Sequence, residues 1–257
     1  MKKQPEANQA PVVQRVRIRY AKRGPLRFTS HRDFARAFER ALLRAKVPIA
    51  YSQGFTPHPK ISYASAAPTG AASEAEYLEI GLQAPMDPAS LARALNAALP
   101  PGLDILAAVD AAGGPGSLAD RIDAAHWRVE LPGVDPSALR GAVAAFLAAP
   151  EVPVERLTKQ GRRTVDARGP VVALAVTGTP SEVDGVQCAI LDLVVRLVTP
   201  SVRPDDVLSG LHVVADLEPP VPPRATRLAQ GALTATGELV DPLGADRDGA
   251  ITGASSA

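Results

Sequence analysis

Four arginines at strict four-residue spacing, Arg32, Arg36, Arg40 and Arg44, are the residues of this chain best suited to chemistry, and that chemistry is anion binding. Successive i, i+4 positions on an α-helix step about 40° past a full turn, so the four guanidinium groups form one slowly spiralling row. Like charges at that spacing repel by roughly a few tenths of a kcal/mol per pair. The row therefore costs stability unless something anionic offsets it, either a polynucleotide backbone or carboxylates of the chain itself such as Asp33 and Glu39. Ser30, His31 and Arg32 stand at the expected start of this helix, where unpaired backbone N–H groups favour an anion, and Arg27 lies just upstream.

A second group of chemical residues follows the helix in the tract Ala50-Tyr-Ser-Gln-Gly-Phe-Thr-Pro-His-Pro-Lys-Ile-Ser62. Gly54 can supply a positive φ, Pro57 and Pro59 stiffen an extended backbone, and Tyr51 or Phe55 offers a face for a nucleobase. Gln53, His58 and Lys60 add hydrogen-bonding and charge. The competing reading puts both aromatics in the core and makes the prolines a simple connection into a strand. His31 and His58 suit a general acid and base acting on a phosphodiester, or metal ligation. No third ligand has a helpful spacing, so surface and helix-cap roles are the expectation, with no catalytic residue and no metal. Farther along, Arg156, Lys159, Arg162, Arg163 and Arg168 make a smaller basic cluster around a hairpin turn, either a second anion contact or a solvated turn.

The formal net charge is only +1 over 257 residues, but it is segregated. Residues 1–60 hold 14 Lys/Arg against 3 Asp/Glu, and residues 61–257 hold 14 against 24. A basic surface formed this way attracts phosphates over about 8–10 Å at physiological salt. The apolar fraction of 46% is that of a globular protein and excludes disorder throughout. Cys188 is the only cysteine, which rules out an internal disulfide, a zinc ribbon and an iron–sulfur cluster ligated by this chain alone. No apolar run approaches the ~18 residues of a membrane span and no signal-peptide core is present, so a cytoplasmic location is expected. Gly-rich phosphate loops, nucleophile elbows and HExxH helices are likewise missing.

The elements that must hold these residues can be read from periodicity. Val13–Tyr20 alternates with period two, setting Val16, Ile18 and Tyr20 on one face and Arg15, Arg17 and Arg19 on the other. Ser30 with Asp33 resembles a capping box, and Phe34, Ala37, Phe38, Ala41, Leu42 and Ala45 recur at helical spacing as a buried stripe until Pro48. Strands at Ile61–Ser65 and Ala75–Gln83, a helix opened by Asp87-Pro88, and a strand at Leu103–Asp110 complete a β-α-β-β-α-β order. The second half reads as the same order: a strand at His126–Leu131, a helix opened by Asp135-Pro136, a hairpin over 152–168, strands at Val171–Thr177 and Val186–Thr199, a short helix at Arg203–Gly210 and a closing strand at Leu211–Leu217. The fold class is thus α+β, two tandem ferredoxin-like units at 13–111 and 126–225. A linker at 112–125 joins them, and disordered tails are expected at 1–12 and 226–257.

The tracts Arg17-Ile-Arg-Tyr-Ala-Lys-Arg-Gly-Pro-Leu-Arg-Phe-Thr-Ser-His-Arg-Asp33, Arg40-Ala-Leu-Leu-Arg-Ala45, Tyr51-Ser-Gln-Gly-Phe-Thr-Pro-His-Pro-Lys60 and Gly70-Ala-Ala-Ser-Glu-Ala-Glu-Tyr77 resemble the radical SAM-linked family of uncharacterised bacterial proteins. The resemblance is dense over residues 14–85 and weaker to about 225. It implies a stand-alone form of a domain found fused to, or encoded beside, a cobalamin-binding radical SAM protein. No Cys-x-x-x-Cys-x-x-Cys segment is present, so an iron–sulfur cluster, S-adenosylmethionine and cobalamin would belong to that separate partner and this chain would bind none of them. The function implied is an accessory that binds RNA or another polyanion and presents it to the partner. The alternatives are an RNA-processing or RNA-modifying enzyme using His31 and His58, and a module that docks an acidic protein through its arginines.

Overall fold

The computed structural model describes residues 11–247 apart from 54, 112–115, 159–160 and 184–185. The described chain divides into unit 1, residues up to Arg121 together with 242–247, and unit 2, Ile122–Asp241.

Unit 1 contains β1 (Gln14–Lys22), α1 (His31–Arg44), β2 (Ile61–Ala64), β3 (Ala72–Leu82), α2 (Pro88–Ala98) and β4 (Leu103–Asp110). Every pairing is antiparallel, β4 on β1, β1 on β3 and β2 on β3, which is the strand order of a split β-α-β succession. Helix α1 begins where expected. The Ser30 hydroxyl accepts the Asp33 amide at 3.2 Å and donates to the Asp33 carboxylate at 2.6 Å. Phe34, Phe38, Ala41 and Leu42, spaced i, i+4, i+7 and i+8, bury one stripe of α1 against Ile18, Leu78 and Ile80 of the sheet. Tyr20 stacks on Phe34 with ring centroids 4.4 Å apart, and Phe34 on Phe38 at 5.7 Å. The helix ends in a Schellman motif: the Lys46 amide donates to Leu43 at 3.1 Å and the Val47 amide to Leu42 at 3.0 Å. Lys46 sits at φ 52, where glycine is the usual residue.

Unit 2 contains β5 (Ala124–Pro132), α3 (Pro136–Ala148), β6 (Pro153–Thr158), β7 (Gly161–Asp166), β8 (Val171–Val183), β9 (Val186–Arg196), α4 (Pro204–Ala215), β10 (Arg224–Leu233) and β11 (Leu239–Val240). Its sheet runs β10-β5-β9-β8, again all antiparallel, with β11 on β10, while β6 and β7 form a separate two-stranded ribbon. The α+β class stands; the elements of unit 1 follow a β-α-β-β-α-β order, and those of unit 2 do so once the β6–β7 ribbon between α3 and β8 is set aside. The two Asp-Pro helix starts form alike: Asp87 accepts the Ser90 amide at 2.8 Å and Asp135 the Ala138 amide at 2.9 Å.

Three expectations about local structure need correction. Leu211–Leu217 is not the closing strand, because α4 continues through it to Ala215. Val207, Gly210 and Leu211 are buried at helical spacing, and a short apolar run does not by itself separate the two periods. The closing strand is β10, which lies mostly within the segment expected to be a disordered tail. Its Arg227 and Gln230 are buried, so this stretch belongs to the sheet. Residues 242–247 add a helical turn to unit 1 through Asp246, which accepts both hydrogen bonds of the Arg17 Nη1 at 2.9 Å and one from Arg121 at 2.8 Å. The rest of the expected tails, 1–10 and 248–257, and residues 112–115 of the expected linker lie outside the described residues.

Candidate nucleic-acid interface

Part of the basic charge of unit 1, that of β1 and the residue after it above all, is neutralised internally. Arg15 pairs with Glu79 at 2.8 Å, Arg17 with Glu79 and Asp246 at 2.9 Å, and Arg23 with Glu74 and, at 2.9 Å, with Asp104. Arg19 donates to the Glu74 carbonyl at 2.8 Å. Burial works against the Arg17 charge, yet hydrogen bonds to Asp246 and Glu79 outweigh it and hold the guanidinium pKa above its ordinary value. On this face of β1, Arg17 is buried and paired, Arg15 is exposed and paired, and Arg19 is half-buried and bonded to a carbonyl.

The row on α1 is different. Arg32, Arg36 and Arg40 are exposed on the face opposite Phe34 and Phe38, and no salt bridge among the described residues involves them. Asp33 is engaged with Ser30, and Glu39 makes no ion pair with the row. Arg44 leaves the row in function: its guanidinium donates to the Ala98 carbonyl and ties α1 to the end of α2. Upstream, the Arg27 guanidinium lies 4.7 Å above the ring of Phe28, itself 60% exposed. Ser30 is committed to the helix cap, and His31 packs edge-on against Tyr63 at 4.6 Å.

The tract after α1 is a closed loop. The Ser52 amide donates to the His58 carbonyl at 2.8 Å, and the His58 amide donates to the Ser52 hydroxyl at 3.0 Å. Below this rung the Lys60 amide donates to Ala50 and the Gly81 amide to Lys60, which sews the loop to β3. Phe55 stands near the loop's apex and is 92% exposed, with Gln53, Thr56 and His58 exposed beside it. Tyr51 is the opposite case: half-buried, bridged to Pro59, and packed on the cluster that holds Phe34 and Phe38. Of the two aromatics, Tyr51 thus packs on the core and Phe55 is exposed. Gly54 lies outside the described residues. Arg162 and Arg163 are on β7 of unit 2, where Arg162 pairs with Glu155 at 2.8 Å and Arg163 is exposed. They are not part of the unit 1 surface.

One residue the sequence reading missed is Tyr63 on β2. Its hydroxyl is buried without a hydrogen-bond partner among the described residues, and its ring meets those of His31 and Phe34 edge-on. Burial, then the negative charge of Glu39, pushes the phenol up to about 12. Only period-two alternation with Ile61 hinted that it faces inward. The unfolded phenol ionises near 10, so the stability tied to neutral Tyr63 is intact below about pH 10 and is lost between about pH 10 and 12. Tyr63→Phe is expected to remove one phenolate absorbance step near pH 12 from an alkaline titration and to soften the fall in stability over that window. An unchanged titration curve would contradict the assignment.

Among the described residues, no group of three or more His, Cys, Asp or Glu converges to hold a metal, and no helix is long and apolar enough to cross a membrane. The chain is thus an α+β protein of two antiparallel-sheet units, the first bearing Arg32, Arg36 and Arg40 with no salt bridge among the described residues. It belongs to the bacterial family described as an uncharacterized protein conserved in bacteria (DUF2344), matched over residues 15–204. No curated protein matches it. Among solved structures it can be aligned with the encapsulated DyP-type peroxidase from Mycobacterium smegmatis over 89% of this chain and 93% of that chain, at 11% identity and a TM-score of 0.19, too low to bear on fold or site.

Proposed function

We propose that this chain is a non-catalytic RNA-binding accessory that presents its ligand to a separate radical SAM enzyme. The observation that carries the RNA reading is the contrast within unit 1: the arginines of β1 are satisfied internally, whereas Arg32, Arg36 and Arg40 hold three exposed charges in line with no salt-bridge partner among the described residues. A phosphate backbone is a natural counterpart to such a row. Phe55 supports it, because an exposed ring near a loop apex gains nothing for the fold and offers a stacking face worth about 1–3 kcal/mol per unpaired base. The radical SAM partner is supported by the sequence tracts at 17–33, 51–60 and 70–77, and the cluster, S-adenosylmethionine and cobalamin would be held by that partner.

The test is fluorescence anisotropy of labelled single-stranded RNA on the nuclease-treated protein across a salt series. Binding should weaken steeply with salt, and Arg36→Ala with Arg40→Ala should flatten the logarithmic salt slope by about 1.4, some 0.7 for each phosphate of a single strand that is no longer neutralised. Salt-insensitive binding, or a double variant that binds like the parent, would refute the RNA reading. Recovery of a radical SAM protein by pull-down from nuclease-treated cell extract, retained by the double variant, tests the partner separately.

A further inference from the structure

We propose that a groove in unit 2, between α4, β6 and residues 217–223, docks an extended lysine- or arginine-bearing segment of a partner protein. The site is independent of the arginine row and has the opposite electrostatic character. The groove is open to solvent, with a volume of about 770 Å³. Its apolar surface comes from Leu208, Val213, Leu217 and Val221, of which Val213 is 60% and Val221 45% exposed.

The walls favour an extended chain. Neighbouring side chains on a strand point to opposite faces, so a groove lined by Pro153, Val154 and Glu155 in succession must run along the backbone edge of β6. That strand pairs with β7 alone in a two-stranded ribbon, so among the described residues its second edge has no strand partner. An added strand uses such an edge. The facing wall is Leu217-Glu-Pro-Pro-Val-Pro-Pro223, where four prolines fix φ and remove N–H groups, so it is formed before a ligand arrives. Gly133, at φ 77, holds this wall in place: a Cβ there would fall 2.7 Å from Pro220 Cγ, and only glycine allows the segment to lie so close to the β5–α3 turn.

Charge selects the ligand. Glu155, Asp205 and Glu218 reach the groove from three different elements. Asp205 and Glu218 are exposed and form no salt bridge among the described residues, and the Glu155–Arg162 pair is a solvent-exposed one of little strength. Carboxylates around an apolar floor repel a nucleic acid and accept a cationic side chain, while the apolar floor and strand edge accept the residues on either side of it.

The experiment uses the full chain, nuclease-treated, and two fluorescein-labelled octapeptides, one alternating valine with lysine and the other valine with glutamate. The lysine peptide should bind saturably and the glutamate peptide should not. Val213→Asp, and separately Asp205→Lys with Glu218→Lys, should each weaken binding by about tenfold or more, with circular dichroism unchanged because all three side chains are exposed. Equal binding of both peptides, no saturable binding, or variants that bind like the parent would overturn the proposal. Full displacement of the lysine peptide by spermidine at equal concentration would overturn the peptide as occupant and assign the groove to a small cation.

Discussion

Asp246→Ala is expected to remove about 3–5 kcal/mol of stability, a large share of the roughly 5–15 kcal/mol that holds a typical domain folded. Asp246 is only 1% exposed and is met by two guanidinium groups, Arg17 through both carboxylate oxygens and Arg121, which also donates to the Pro242 carbonyl at 3.0 Å. The Arg17 side chain is itself 5% exposed. Alanine at 246 leaves that charge in the protein interior with Glu79 alone, and Glu79 is already shared with Arg15. Uncompensated burial of a charge is what makes breaking such a network costly, whatever the net worth of the intact one. Asp246→Asn keeps the shape and one acceptor but loses the charge, so it should fall between parent and alanine. Urea unfolding followed by circular dichroism gives the ranking, read as a lower midpoint at unchanged slope. A loss under about 1 kcal/mol for the alanine variant would mean that Arg17 finds water or another carboxylate, and the network would not be the anchor described.

That network also marks where reading the chain from its residues alone ran out. Alternation placed β1 correctly and put Arg15, Arg17 and Arg19 on the face away from Val16 and Ile18, but alternation says nothing about what covers that face. The answer for Arg17 comes from a residue 229 positions away, in a stretch whose Gly, Ala and Ser content looked like a tail. The helices were legible because their signals are local: Ser30 before α1, and Asp-Pro before α2 and α3, each satisfy amides within one turn. In the second half, the run Leu211-His-Val-Val-Ala-Asp-Leu217 is apolar enough for either period, and only packing decides it. Gly210 lies against Phe146 so closely that a Cβ would be 2.6 Å from the ring, and that approach is made by a helix crossing α3. The candidate site divides the same way. The arginine row was legible as spacing, while the engagement of Arg44 with the Ala98 carbonyl and the inward turn of Tyr51 depend on neighbours brought in by the fold.

The sharpest separation of fold from function on α1 comes from its two faces. Phe38→Ala should destabilise the protein by about 3–5 kcal/mol, because the ring is fully buried, stacks on Phe34 and leaves a cavity between helix and sheet that its neighbours fill only in part. Arg36→Ala with Arg40→Ala should do the reverse. Neither side chain makes a salt bridge in the described structure, alanine is the better helix former, and removing like charges at i, i+4 relieves about 0.2–0.5 kcal/mol per pair. The double variant is therefore expected to melt at or slightly above the parent temperature while it loses RNA affinity. Phe38→Ala is expected to melt well below the parent, yet to bind RNA with the parent's salt slope at temperatures where it is still folded, since its arginines are untouched. Thermal unfolding and anisotropy at one ionic strength distinguish the two directly. If the double variant proved less stable by more than about 1 kcal/mol, the row would be holding α1 in place through contacts of its own. The absence of internal partners, on which the polyanion reading stands, would then be wrong.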